Sequence, residues 1–215
     1  MINIDIKRMR EEQVKLAKKL EIREMQAEIT KIGGCDRVYM DKKMICAITV
    51  MGYPGLKLLE KKYSIVDIEQ PYVPGYLFYR EGPGIIETYN KLENKPDVLM
   101  VDGSGIIHPR KIGLVSHLGL VLDIATVGIT RSMMCGELKG DKVYINDEIR
   151  GQLVVTKANS NPVFVSPGHK ISLKKAVKLV KETTKIPYKM PEPVAMAHKF
   201  ANKLKKFQKG KEPSI

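Results

Sequence analysis

Apolar and polar positions change their period along the chain, and the changes predict its elements. Residues 5 to about 30 are densely charged. Within them Ile22, Met25 and Ile29 fall at i, i+3 and i+7, which predicts one amphipathic helix that Gly33-Gly34 ends. Strand-like segments follow at 34–39, 43–51 and 56–68, with turns at Asp41 and Gly52-Tyr53-Pro54-Gly55, so an antiparallel meander is expected. A short helix is predicted over Gly84–Leu92, with Pro83 suited to its first turn. Val98–Val101 is continuously apolar, as in a strand buried on both faces. Further on come a helix at 111–122, a strand at 125–130, a hairpin at 143–156 and a short strand at Pro162–Val165. Ser172 can cap a helix with an apolar stripe of Leu173, Ala176, Val177 and Val180. A last helix over 192–208 has Met196, Phe200, Leu204 and Phe207 on one face.

Early strands followed by alternating strands and helices predict a single α/β domain with a mixed sheet. No repeat and no linker divides the chain. Lys203–Lys211 is a lysine-rich tail, read equally as a frayed solvated end or as a contact with phosphate.

Composition narrows the function. The 215 residues are 43% hydrophobic and 28% charged, which excludes collagen-like, disulfide-scaffold and wholly disordered chains. No apolar run is long enough to cross a bilayer, and the amino terminus lacks a signal peptide's apolar stretch, so a cytoplasmic protein is expected. Lys and Arg number 37 against 24 Asp and Glu, a net +13. That excess favours an anionic partner, nucleic acid before a membrane surface. Cys35, Cys46 and Cys135 are few and widely spaced, which suits a reducing compartment and gives no CxxC zinc pair. Walker, GxGxxG and HExxH patterns are absent, which removes support for motor, dehydrogenase and zinc-protease chemistry.

Three acids are candidates for chemistry. Asp102 ends the most buried-looking strand and precedes Gly103-Ser104-Gly105, where α/β folds place ligand chemistry, although Asp-Gly is also a common turn. Asp36 follows Gly33-Gly34-Cys35, and Glu81 stands just ahead of the Pro83 helix. Locally each has a plainer reading, an edge carboxylate and a helix-start acid. Brought together, the three could hold magnesium, a hard cation that takes oxygen ligands. Pro71-Tyr72-Val73-Pro74-Gly75 presents a tyrosine rigidly, either to wedge between bases or to pack on the core. His108 and Arg110 suit water or phosphate contacts, and His169 has similar scope. His117 reads as structural, and His198 on the last helix has no argument for function.

Taken as a set, these blocks resemble the endonuclease V family of inosine-directed nucleases. The matching residues are Gly34-Cys35-Asp36, Pro71–Gly75 running on to Phe78-Tyr79-Arg80-Glu81, and Val101–Arg110 with its Asp-Gly and His-Pro-Arg pieces. Gly113–Gly119, Thr126–Ile129, Asn161-Pro162 and Gly168-His169 continue the match.

The resemblance implies an RNase H-like mixed sheet flanked by helices. Its expected parts are an N-terminal helix (1–30), a catalytic domain (31–190) and a basic terminal helix (191–215) packed on that domain and ending in a frayed tail. It also implies a magnesium-dependent enzyme of DNA repair that finds deoxyinosine and cuts the second phosphodiester bond 3′ to it. Asp36 and Asp102 would be metal ligands, with Glu81 completing the acidic set. Tyr72 would be a strand-separating wedge, and His108 and His169 would sit at catalytic or scissile positions. Gly75, Gly103 and Gly113 would line the base pocket, and the protein is expected to act as a monomer, away from membranes.

Three residues depart from the family pattern. Arg131 stands where lysine is usual, keeping the charge and the grip on phosphate. Ser104 replaces a bulkier polar residue, and Arg37 replaces a small apolar one. The alternatives are an inosine-specific endoribonuclease and a nucleic-acid-binding module without catalysis.

Overall fold

β-branched and aliphatic runs dominate the middle of the chain, and they pair into one sheet. A computed structural model describes residues 5–157 and 160–210. The strands are β1 (Lys31–Met40), β2 (Lys43–Gly52), β3 (Leu58–Asp67), β4 (Val98–Asp102), β5 (Ala125–Thr130), β6 (Glu137–Lys139), β7 (Lys142–Ile145), β8 (Glu148–Val154) and β9 (Val163–His169). The helices are α1 (Ile6–Ala17), α2 (Leu77–Asn90), α3 (Leu114–Leu122), α4 (Leu173–Thr183) and α5 (Glu192–Gln208). Among the described residues no helix is long and apolar enough to cross a membrane.

The strand order is β3-β2-β1-β4-β5-β9-β8-β7-β6. β1, β2 and β3 form the expected antiparallel meander, β4 and β5 add in parallel to β1, and β9 through β6 continue antiparallel. Helices cover both faces, giving the RNase H-like mixed sheet. β2 is buried from Met44 to Met51 because neither face meets water, which explains its unbroken apolar run. Met44, Cys46, Ile48 and Val50 pack with Leu99 and Val101 against Ile85 of α2 and Leu118 of α3. On the other face Ile32, Met100 and Val127 meet Val177 and Val180 of α4 and Val194 of α5. Ser172 caps α4 by accepting from the Lys175 amide at 3.1 Å.

Several expectations are corrected. α1 ends at Ala17, and residues 20–30 are not helical. Asp97 takes the Thr30 and Lys31 amides at 2.8 and 2.9 Å, and Glu21 pairs its backbone with Lys170 at 2.6 Å. The segment therefore follows the sheet, and Ile29 reaches the core from an extended chain. Gly33-Gly34 ends no helix. Both lie in β1, where a Cβ on Gly34 would overlap the Pro193–Val194 backbone of α5. α2 starts at Leu77, so Pro83 is interior and Glu81 lies in its second turn. α3 starts at Leu114, after Lys111 takes a left-handed φ of 63°. β9 runs on to His169 through Pro167 and Gly168, residues that mask a strand and that accompany a register shift against β5. β6 has no buried residue and left no apolar signal. The buried face of α5 is Pro193, Val194, Ala197 and Ala201, while Phe207 is exposed. Small side chains let this helix lie close on β1 and β2. The helix continues through the lysine-rich segment to Gln208, and residues 211–215 of the expected frayed tail lie outside the described residues.

Candidate active site

Parallel pairing puts two carboxylates side by side. Cys35 of β1 is in register with Val101 of β4, and the next residue along each strand is an aspartate, Asp36 and Asp102. Adjacent strands lie about 4.8 Å apart, and alternation turns both aspartates to the face opposite Cys35 and Val101. That is the face α5 covers. His198 on α5 reaches Asp36, with Nδ1 2.5 Å from Oδ2. Asn202, one turn on, donates from Nδ2 to His198 Nε2 at 3.0 Å, which leaves the imidazole proton on Nδ1 to donate to Asp36. Arg131 at the end of β5 stands 3.9 Å from Asp102. Asp36, Asp102, Arg131, His198, Tyr188 and Lys199 line one pocket. Burial raises the Asp102 carboxyl above its usual range, and Asp36 adds to this, while Arg37, Arg131 and His198 pull it back.

Glu81 is near but does not join them. Its two carboxylate oxygens accept from Arg37 Nε and from the Tyr39 hydroxyl, and Arg37 also donates through Nη1 to the Asp102 backbone carbonyl. Arg37 and Tyr39 project from β1 to the α2 side of the sheet, one residue out of phase with Asp36. Burial raises the Glu81 carboxyl despite the guanidinium beside it. For Arg37 desolvation opposes the charge, yet Glu81 and Asp102 outweigh it and hold the proton more firmly. Among the described residues no three His, Cys, Asp or Glu side chains form a metal-holding group. The three-acid convergence expected from sequence is thus two facing aspartates, with Glu81 set behind an arginine.

The other candidates are spread over the molecule. Tyr72, 64% exposed, stands on the loop between β3 and α2. His108 is buried and donates from Nε2 to the Gly75 carbonyl at 3.0 Å, while its Nδ1 accepts from the Arg110 amide at 3.2 Å. Desolvation pushes it down to about 4, so it is a neutral pin in this loop and does not line the aspartate pocket. His169 pairs with Thr126, at the end of β5 away from Asp102, and accepts from the Glu21 amide at 3.3 Å. It is therefore remote from the aspartates. Three of the backbone groups at the glycines expected to line a base pocket are engaged inside the protein. The Gly103 and Gly113 amides donate to Ile129 and Gly105 carbonyls, each at 3.0 Å, and the Gly75 carbonyl is an acceptor for His108, Arg110 and Gln13. His117 stacks on Phe78 with centroids 3.5 Å apart, as a structural histidine does. Ser104 lies in the glycine loop, its carbonyl accepting from the Val115 amide at 3.0 Å.

Sequence reasoning missed His198. Its one trace in the sequence is its place beside Ala197 and Ala201, the small residues that bring α5 down onto β1. A sequence model described as Endonuclease V matches residues 14–199, a span that includes every residue of the pocket. The chain belongs to the endonuclease V family. Endonuclease V of Dictyoglomus turgidum is 38% identical over 200 residues, covering 89% of this chain and 87% of the relative. That of Geotalea uraniireducens is 33% identical, covering 94% and 89%. Ciona intestinalis endonuclease V, solved with a 24mer DNA containing an inosine followed by a ribo-adenosine, superposes with a TM-score of 0.84 at 28% identity over 94% of this chain and 98% of that one. The catalytic domain of human endonuclease V superposes with a TM-score of 0.88 at 24% identity, over 96% and 98%, a likeness of fold. As a member of the endonuclease V family, the protein is a nuclease that hydrolyses phosphodiester bonds.

Proposed function

We propose that this enzyme is a magnesium-dependent endonuclease of DNA repair that recognises deoxyinosine and hydrolyses the second phosphodiester bond 3′ to it. Its main support is the pairing of Asp36 with Asp102 on adjacent parallel strands beneath His198. Two carboxylates facing an open pocket suit magnesium, which keeps several waters beside one or two acidic ligands. Asp36 and Asp102 would hold it, and when bound it lowers the pKa of a water and offsets charge on the phosphate. His198 fixes the Asp36 carboxylate towards the pocket. Arg131 and Lys199 at the pocket receive phosphate oxygens, and the arginine fork can take two at once. Glu81 keeps Arg37 in place, and Arg37 steadies the turn after Asp102 through its carbonyl. Tyr72 is the wedge that parts the strands, and the +13 charge draws in the polyanion. Inosine-containing RNA is the other substrate to compare.

The test uses end-labelled DNA and RNA oligonucleotides of one sequence with a single inosine. The wild-type protein should cut DNA at one site, with magnesium and not with a chelator. Asp102→Asn should abolish cleavage while binding stays within a few fold. Full magnesium-dependent cutting by Asp102→Asn would remove the assigned role. Cutting of the RNA strand alone would move the substrate to RNA.

A further inference from the structure

α1 lies on the outside of the molecule, and Gln13 is its one buried residue. That side chain reaches 62 positions along the chain to the loop that carries Tyr72. Gln13 Nε2 donates to the Gly75 carbonyl at 3.0 Å, and Gln13 Oε1 accepts from Arg110 Nε at 2.6 Å. Arg110 Nη2 and His108 Nε2 donate to the same carbonyl, each at 3.0 Å. Arg110 also lies over the Tyr76 ring, 4.4 Å from its centroid. A carbonyl oxygen has two lone pairs, so a third donor fixes the peptide's direction more tightly than hydrogen-bond satisfaction alone requires. Gly75 itself has φ +80°, which only glycine adopts without strain. At the start of α2, the Tyr79 hydroxyl lies 3.1 Å from both the Met9 carbonyl and the Glu12 carboxylate. α1 thus grips both the end of the tyrosine loop and the helix that follows it.

We infer that Gln13 is a positioning residue for Tyr72, and that α1 is the strut that holds the tyrosine at a fixed height over the nucleic acid. The inference rests on the assignment of Tyr72 as the wedge. Pro71 and Pro74 stiffen the loop, but stiffness does not set where the loop points. The Gly75 peptide sets that direction, and among the described residues the Gln13 amide is the one donor to its carbonyl from outside the 103–113 loop. A strut of this kind matters where strands must be parted and is idle where they are already single.

The test measures single-turnover cleavage of a duplex and of a single strand, each with one inosine, for Gln13→Leu, Gln13→Glu, Tyr72→Ala and Gln13→Leu/Tyr72→Ala. Gln13→Glu keeps the acceptor for Arg110 and loses the donor to Gly75. Gln13→Glu should lose about tenfold on the duplex, the size of one lost hydrogen bond, and Gln13→Leu, which loses two, at least as much. On the single strand they should cut like the wild type, and in the Tyr72→Ala background Gln13→Leu should add less than a twofold loss. A second readout is amide exchange, which should rise in residues 71–76 for both variants while the protein stays folded, its melting temperature lower by only a few degrees. If Tyr72→Ala is impaired on the duplex and the Gln13 variants are not, the strut is refuted and the wedge stands. Equal Gln13 losses on both substrates, adding to the Tyr72→Ala loss, refute the strut as well. If Tyr72→Ala has no duplex-specific defect, the wedge fails and the strut falls with it.

Discussion

Replacing Arg37 with methionine strips the counter-charge from a buried acid. Arg37 and Glu81 are 9% and 3% exposed, so water replaces little of what is lost. Breaking a buried pair by removing one partner costs about 3–5 kcal/mol. The Tyr39 hydroxyl still donates to Glu81, which puts Arg37→Met near the lower end, about 3 kcal/mol at pH 8. For a chain of this size that is a fall in melting temperature of roughly 6–12 °C. The penalty depends on pH. Burial holds the Glu81 carboxyl above its ordinary 4.5, and without Arg37 it rises further. A group raised in the folded state stabilises fully below its unfolded pKa and loses that contribution as pH rises through the folded value. The deficit of Arg37→Met should therefore be small at pH 5 and largest at pH 8. Arg37→Met/Glu81→Met removes the stranded charge and should recover most of the loss. Calorimetric melts of the three proteins at both pH values decide the matter. A single variant that melts with the wild type at pH 8, or a pH-independent deficit that the double variant keeps, would refute an electrostatic role for the pair.

Other consequences are open to simple tests. Gly34→Ala pushes a methyl into the Pro193–Val194 backbone, so α5 must shift; we expect about 1–3 kcal/mol of lost stability and a larger loss of cleavage, because His198 moves off Asp36. A crystal structure of that variant with α5 unmoved would contradict this. His108 and His117 are both pushed by burial from 6.5 down to about 4. Between those pH values the unfolded chain binds protons that the folded chain does not, so stability should fall on acidification by up to about 3 kcal/mol for each histidine. Urea titrations at pH 7, 5.5 and 4 would read it, and His117→Phe should make the fall shallower. Tyr72→Ala alters an exposed side chain, so its unfolding midpoint should match the wild type within about 0.5 kcal/mol while duplex cleavage drops.

Much of this fold was legible in the chain. The meander, the buried β4 run and the Ser172-capped α4 follow from periodicity and capping, and those signals are local. The misassigned segments answer to distant partners. Residues 20–30 carry helical spacing yet run extended because Asp97 and Lys170 take their backbone groups. Pro83 looks like a helix start, but α2 begins six residues earlier, and its Gly84 lets it lie close on Met44 and Val66 of the sheet. In the pocket, Asp102 was legible because a strand end before glycines is a recognisable place for chemistry. Asp36 became meaningful only beside the family pattern, and its pairing with Asp102 depends on the β1–β4 register. The partners of Glu81 were hidden for a related reason. Strand alternation puts Arg37 on the other face from Asp36, and sequence adjacency alone suggests the reverse. His198 had no local signal at all, since its partner lies 162 residues away.

That separation gives the enzyme a built-in order of completion during synthesis. The ribosome delivers Asp36 and Asp102 well before His198 and Lys199, the wall that α5 contributes. At about 5–20 residues per second, a chain spends several seconds with both acids made and that wall still missing. The pocket is therefore complete only once α5 has been made and has settled on β1 and β2.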